Sequence, residues 1–240
     1  MNPLPTVGGM EMIEVVPNLH LLRFTVGQAY LWRDGDELTL VDTGWAGGGT
    51  KIAEAIRGLG LDRENLVRIV LTHFHEDHAG AAAELRAWAD APVLAHRLDA
   101  PVIRGEVPPP EPRLADWERP LYEQAASGEL VGPPSPVDHE LDGEEEIDFG
   151  GGARVISIPG HTDGSIAVYL PRHGVLFTGD TIAEHEGQVI PGVFNLDVER
   201  VHRSFRELAA LDTEVACFGH GAPLTADAEQ VLRRSAEALG

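Results

Sequence analysis

The sequence predicts an α/β fold in which strands are followed by helices in each half of the chain. Three observations carry this. The first third alternates apolar and polar residues in short runs, the period of strands with one buried face. The run "LVRIVLT" is mostly apolar and of strand length, which marks a strand covered on both sides. Later segments such as "VERVHRSFRELAAL" repeat their apolar residues at helical spacing.

The elements follow in order. "MIEVV", "LHLLRF", "QAYLWRDG" and "ELTLVDTG" read as antiparallel strands, with turns at Pro17-Asn18 and at Arg33-Asp34-Gly35-Asp36. "GGTKIAEAIRGLG" is a helix closed by glycine, and "LVRIVLT" the buried strand after it. "AGAAAELRAWA" is rich in helix formers. Strands resume with "EEIDFG", "ARVISIP", "SIAVYLP" and "GVLFTGD". The helix "VERVHRSFRELAAL" puts Val198, Val201, Phe205, Leu208 and Leu211 at core positions. "EVACFGH" is another strand, and "TADAEQVLRRSAEAL" the closing helix. Residues 97–137 break this rhythm. They are proline-rich and too long for an ordinary connection, so they either shape a site as a lid or pack on the surface as an excursion. A lid predicts that removing residues 104–134 changes substrate preference and leaves metal content intact. No linker divides the chain, so residues 1–240 read as one domain.

Composition narrows the function. The 240 residues carry a formal net charge of -21, which repels phosphate backbones and anionic membranes, so no nucleic-acid or membrane partner is expected. No apolar run is long enough to span a bilayer, and the N-terminus lacks the pattern of a secretory signal, so the expected location is cytoplasmic. Cys217 is the only cysteine, which rules out an intrachain disulfide and a cysteine-rich zinc site; its setting reads as a buried strand. Nothing in the sequence announces an oligomer.

Chemistry concentrates in "LTHFHEDHAG", where His73, His75, Asp77 and His78 lie between the buried strand and the helix. Neutral imidazole and carboxylate are ligands for zinc and similar ions. Residues two apart in an extended segment point the same way, so His73 and His75 form one pair. All four cannot easily face one ion; two ions, each taking a pair, is the easier arrangement. Further ligands must come from other strand ends. His161 in "PGHTDGS", Asp180 in "LFTGDTI" and His220 in "CFGHGAP" each follow an apolar strand and sit beside glycine, and Asp42 in "LTLVDTG" has the same setting. His20, His96, His139, His173 and His202 lack such context and read as surface residues. His185 reads as exposed, although its loop could reach a substrate. Phe74 is expected to pack, and Glu76 to face away.

Taken together, the Asp of "VDTG", then "HFHEDH", "GHTDGS", "TGD" and "GHG" resemble the metallo-β-lactamase-fold hydrolases, in the family's order and over about residues 13 to 235. The resemblance implies an αββα sandwich of two mixed sheets flanked by helices. It implies that His73, His75 and His161 hold one metal, that Asp77, His78 and His220 hold a second, that Asp180 bridges them, and that Asp42 orients a ligand from behind. It further implies two divalent ions, zinc first with iron or manganese as alternatives. A metal-bridging hydroxide would attack a small activated acyl substrate, a thioester, ester or lactone, with Asp77 and Asp180 as catalytic residues.

Departures from particular relatives refine this. Several β-lactamases of the family carry cysteine or serine where Asp180 stands, which argues against antibiotics as the main substrate. Glyoxalase II enzymes share the ligands but add a helical domain, whereas only about twenty residues follow His220 here. Lactonase relatives place a tyrosine where Ala183 stands. Two alternatives remain: a persulfide dioxygenase with a single iron on His73, His161 and Asp180, and a metal-binding regulatory module with little turnover.

Overall fold

The computed structural model describes residues 9–126 and 132–239. Among the described residues, fourteen strands and seven α-helices form the architecture. Strands β1 (Glu11–Val16), β2 (Leu19–Arg23), β3 (Gln28–Asp34) and β4 (Glu37–Val41) pair antiparallel in sequence order. Asn18 and Gly35 take positive φ at the first and last of these turns, where the chain must reverse sharply. Strands β5 (Leu66–Val70), β6 (Val93–His96) and β7 (His139–Leu141) extend the sheet in parallel from β4. The connections between these parallel strands carry α1 (Gly49–Gly58), the four-residue α2 (Glu76–Ala79), α3 (Ala82–Ala89), α4 (Ala100–Ile103) and α5 (Arg119–Ala126).

The second sheet has the order β14-β11-β10-β9-β8. Its strands are β8 (Glu146–Ile147), β9 (Ala153–Ser157), β10 (Ile166–Leu170), β11 (Val175–Phe177) and β14 (Val215–Cys217), with β11 and β14 parallel. A separate hairpin, β12 (Ile182–His185) with β13 (Gln188–Pro191), stands between β11 and α6 (Val198–Leu208). Helix α7 (Ala228–Glu237) closes the chain.

Strand alternation sorts the side chains into layers. Tyr30, Trp32, Val41 and Val70 meet Val155, Ile166, Val168 and Phe177 between the sheets. Leu31, Leu38, Leu40 and Ile69 turn the other way and pack on Ile52 and Ile56 of α1 and Leu85 of α3. Ala167, Tyr169 and Leu176 face Phe205 and Leu208 of α6 and Leu232 of α7. The result is the expected αββα sandwich of two mixed sheets. Strand β5 has Ile69 in the outer core and Val70 in the inner one, as its continuous apolar character predicts. Phe74 is buried in the outer core, as expected.

Some expectations need correction. Val198 is 42% exposed, because it sits at the first position of α6 and overhangs the sheet that the later turns cover. His20 and His96 are buried rather than superficial. His20 lies on β2, paired on both sides, and the ring of His96 accepts from Leu98 N at 3.2 Å. The strand of "EEIDFG" shrinks to two residues, and neither β7 nor the β12–β13 hairpin was anticipated. Part of the proline-rich stretch, residues 127–131, lies outside the described residues.

Candidate metal centre

Every sequence-selected residue follows a strand end. Asp42 follows β4, the histidine cluster follows β5, His161 follows β9, Asp180 follows β11 and His220 follows β14. The parallel pairs β4/β5 and β11/β14 end at the same edge of their sheets, so their loops converge.

The structure brings all seven proposed donors into three overlapping clusters. These are His73, His75 and His161; His73, His78 and Asp180; and Asp77, His78 and His220. In the first, His75 Nδ1 lies 3.0 Å from His73 Nε2 and 2.9 Å from His161 Nε2. In the others, Asp180 Oδ1 lies 3.1 Å from His78 Nε2, and Asp180 Oδ2 lies 3.1 Å from His220 Nε2. Asp77 Oδ2 is 3.2 Å from His220 Nε2 and 3.7 Å from His78 Nε2. The His220 side chain is about one-third exposed.

The residues behind this set fix which ring nitrogens carry hydrogen. Asn195 Nδ2 donates to Gly192 O at 2.6 Å, so its Oδ1 faces His161 Nδ1 at 3.0 Å and must accept. The Thr72 hydroxyl donates to Asp42 Oδ2, so His73 Nδ1 donates to Thr72 Oγ1 at 3.0 Å. His78 Nδ1 donates to Asp42 Oδ2 at 2.8 Å. Each leaves its Nε2 lone pair aimed inward. His75 Nδ1 can offer at most one hydrogen to the two lone pairs it faces at 2.9 and 3.0 Å, so this cluster holds more lone pairs than hydrogens, a set suited to a cation. His78 Nε2 and Asp180 Oδ1 are buried with no hydrogen-bond partner among the described residues. That pattern fits bound metal.

Electrostatics divide the site. Burial, reinforced by neighbouring imidazoles, lowers His73 well below the ordinary histidine range and brings His75 to about 3. Burial lowers His161 as well. These rings are neutral at pH 7, the form that binds metal. On the other side, Asp180 raises His220 to about 10. Burial opposes the charge on His78, but Asp180, Asp77 and Asp42 raise it well above its ordinary value. Burial likewise works against ionisation of Asp180, yet His220 and His78 hold its carboxyl well down. The carboxylate-rich half therefore demands positive charge.

Several supporting residues escaped the sequence reading. Gln28 Nε2 donates to Phe218 O and Gly221 O, each at 2.8 Å, and Tyr30 Oη donates to Phe218 O at 2.8 Å, bracing the loop on both sides of His220. Asp99 accepts from Phe74 N at 3.1 Å, Thr162 Oγ1 at 2.7 Å and Gly164 N at 2.8 Å, tying the His73–His75 loop to that of His161. Burial pushes its carboxyl up to about 6 in spite of these donors. Only Thr72, adjacent to His73, had a signal in the sequence. Asp42 takes the left-handed conformation, φ 60°, which aims its carboxylate back at Thr72 and His78. His185 is exposed and belongs to none of the clusters.

The chain matches the family described as the metallo-beta-lactamase superfamily over residues 22–220. It is 28% identical to the probable metallo-hydrolase YflN of Bacillus subtilis over 253 aligned residues, 93% of this chain and 91% of that protein. A hydroxyacylglutathione hydrolase of Cereibacter sphaeroides is 34% identical over 158 residues, covering 65% of this chain and 49% of that protein, so the likeness spans about half of that relative. Among solved structures, the metallo-beta-lactamase family protein TTHA1429 from Thermus thermophilus has a TM-score of 0.66 at 26% identity, covering 93% of this chain and 78% of its own. TTHA1623 in a di-iron-bound form has a TM-score of 0.64 at 30% identity, covering 87% and 93%.

Proposed function

Because the chain belongs to the metallo-beta-lactamase superfamily, we propose that it is a dinuclear metal-dependent hydrolase of a small activated acyl substrate, a thioester, ester or lactone. The observation that carries this reading is the overlap of three donor clusters on seven side chains, more than one ion can use. His73, His75 and His161 would hold one ion, Asp77, His78 and His220 the other, and Asp180 would serve both. Bound divalent ions supply Lewis acidity and lower the pKa of water toward neutrality. Zinc suits this donor set, and the di-iron form of TTHA1623 makes iron the first alternative.

The chain's own groups would do the rest. Asp77 is partly buried, which disfavours its charge, but His78 and His220 hold its carboxyl down to about 2, so it is ionised at neutral pH. The Asp77 carboxylate oxygen not turned toward His220 and His78 would take the proton released as water adds to the acyl carbon. It would return that proton to the thiol or alcohol as the carbon–sulfur or carbon–oxygen bond breaks. Asp42, Asn195 and Thr72 hold the rings in the tautomer the reaction needs.

The test is metal analysis of freshly purified protein and of Asp180→Ala, followed by a screen of thioesters, esters and lactones. Two ions per chain, fewer in the variant, with hydrolysis of one class, is the expected result. One iron per chain with oxygen consumed on a persulfide would replace this reading with the dioxygenase. Full metal loading without turnover on any acyl substrate would replace it with a regulatory module.

A further inference from the structure

A cavity of about 490 Å³ opens beside the metal centre, lined by the β2–β3 turn on one side and by His220, Gly221 and Ala222 on the other. The turn presses against the centre: a Cβ on Gly27, which has φ +70°, would meet Asp77 O at 2.8 Å and Asp77 Cβ at 3.0 Å. Trp45 Nε1 donates to Val26 O at 2.9 Å and pins the turn from outside. The cavity is therefore a fixed approach to His220 and Asp77.

Arg23 lines this cavity. It is the last residue of β2 and shares the parity of Leu19 and Leu21, whose side chains lie between the sheets. Its cross-strand neighbour Gln28 points the same way, into the His220 loop. Among the described residues the Arg23 guanidinium has one partner, the Glu11 carboxylate at 3.7 Å, beyond hydrogen-bond reach. Five N–H donors thus stand almost unused at the mouth of a site, in a chain of net charge -21 that otherwise repels anions. Phe24, Val26 and Ala222 add apolar wall, and Val26 is 51% exposed.

We propose that Arg23 is the specificity residue of this pocket and that the substrate is an acyl compound bearing one carboxylate, held by the Arg23 guanidinium while its apolar part lies along Phe24 and Val26. Resting on the hydrolase reading, this narrows its substrate class. One guanidinium matches one carboxylate bidentately. A multiply phosphorylated carrier would need several cations, and among the described residues Arg23 is the only Lys or Arg on the cavity wall.

The experiment uses metal-loaded protein and two matched pairs of compounds. The first is a thioester with a terminal carboxylate and its neutral carboxamide twin; the second is the corresponding pair of non-hydrolysable thioethers. Wild type, Arg23→Gln and Arg23→Lys are compared by kcat and KM on the thioesters and by calorimetry on the thioethers, with metal content measured for each. The expected result is a wild-type preference for the carboxylate compound that falls about ten- to a hundredfold in Arg23→Gln, through KM, at unchanged metal content, and is partly kept by Arg23→Lys. Hydrolysis with no carboxylate preference overturns the Arg23 assignment and leaves the hydrolase reading standing. A carboxylate preference in thioether binding without thioester turnover does the reverse. An Arg23→Gln variant that loses metal, or that weakens both members of a pair equally, overturns the assignment.

Discussion

Asn195 Oδ1 lies 3.0 Å from His161 Nδ1, and the same side chain is locked the right way round by its donation to Gly192 O. This one relationship decides that His161 presents a lone pair rather than a hydrogen to the centre. Asn195→Leu removes the acceptor and leaves the buried ring free to take the other tautomer. Metal affinity, read by competition with a chelator, is expected to fall about ten- to a hundredfold. An unchanged affinity would show that the pocket walls alone orient His161.

Asp42 performs the same service for His78, and also accepts from Thr72 N at 2.7 Å and Thr72 Oγ1 at 2.8 Å. Asp42→Ala strips a buried carboxylate from three donors. Loss of a buried, charged hydrogen-bond hub costs on the order of 3–5 kcal/mol, so a clear drop in thermal midpoint is expected. Metal per chain should fall with it. Full metal content in the folded variant would refute the role given to Asp42.

Gly219 separates Cys217 and Phe218 of the β14 end from His220. A Cβ there would overlap Asp180 Oδ1 and come within 2.6 Å of His78 Cε1. Gly219→Ala therefore pushes first on two proposed ligands. The expected outcome is loss of metal stoichiometry with an unfolding transition close to wild type. Normal stoichiometry would mean that the Asp180 loop yields without cost.

How far the sequence could reach follows from these contacts. The seven proposed donors were legible because three histidines and an aspartate crowd one loop and because His161, Asp180 and His220 sit beside glycine at strand ends, and the family resemblance supplied their pairing. Strands β1 to β4 were legible from alternation, since one residue in two must face a core, and β5 from its continuous apolar run, whereas the three-residue edge strand β7 is too short to show a period. Gln28, Asn195 and Asp99 were not legible. Each acts across a long stretch of chain, Gln28 on Phe218 and Asn195 on His161, and no local pattern records such a partner. His20 and His96 failed for the opposite reason: a polar residue on a paired strand can be buried by its neighbours, and periodicity alone does not see them.

Acid stability should carry the mark of Asp138. Its carboxylate takes two hydrogen bonds from Arg86, at 2.7 and 2.9 Å, and one from Val93 N at 2.9 Å. Those donors, led by Arg86, hold its carboxyl down to about 2 against an ordinary 3.8. Because the folded-state value is the lower one, the stabilisation is complete above about pH 4 and is lost as pH falls toward 2. The pair is partly exposed, so its contribution is discounted to about 1 kcal/mol. Asp138→Asn should lower stability at pH 7 by that amount and by progressively less as the pH falls from 4 to 2, checked by denaturant melts across pH. A constant deficit would mean that shape rather than charge matters there.

The proline-rich stretch touches the centre through Asn195. Arg113 N donates to Asn195 O at 2.9 Å, and the buried Glu118 carboxyl accepts from Phe194 N at 2.9 Å and from Ala115 N at 2.7 Å. Tyr122 stacks edge-on against Phe194 at 5.3 Å, and Phe194 itself is held at φ 60°. The segment that positions Asn195, and through it His161, is thus clamped by the stretch the sequence offered as either a lid or an excursion. A lid that only selects substrates would leave metal binding alone when removed; this arrangement predicts otherwise. Glu118→Ala, which removes the buried carboxylate that Phe194 N and Ala115 N donate to, should loosen Asn195 and lower metal affinity. It should also increase amide exchange at residues 192–196. Deleting residues 104–134 should lower metal affinity further in the same direction. Metal affinity equal to wild type in both proteins would separate the stretch from the centre and return it to a role in substrate choice alone.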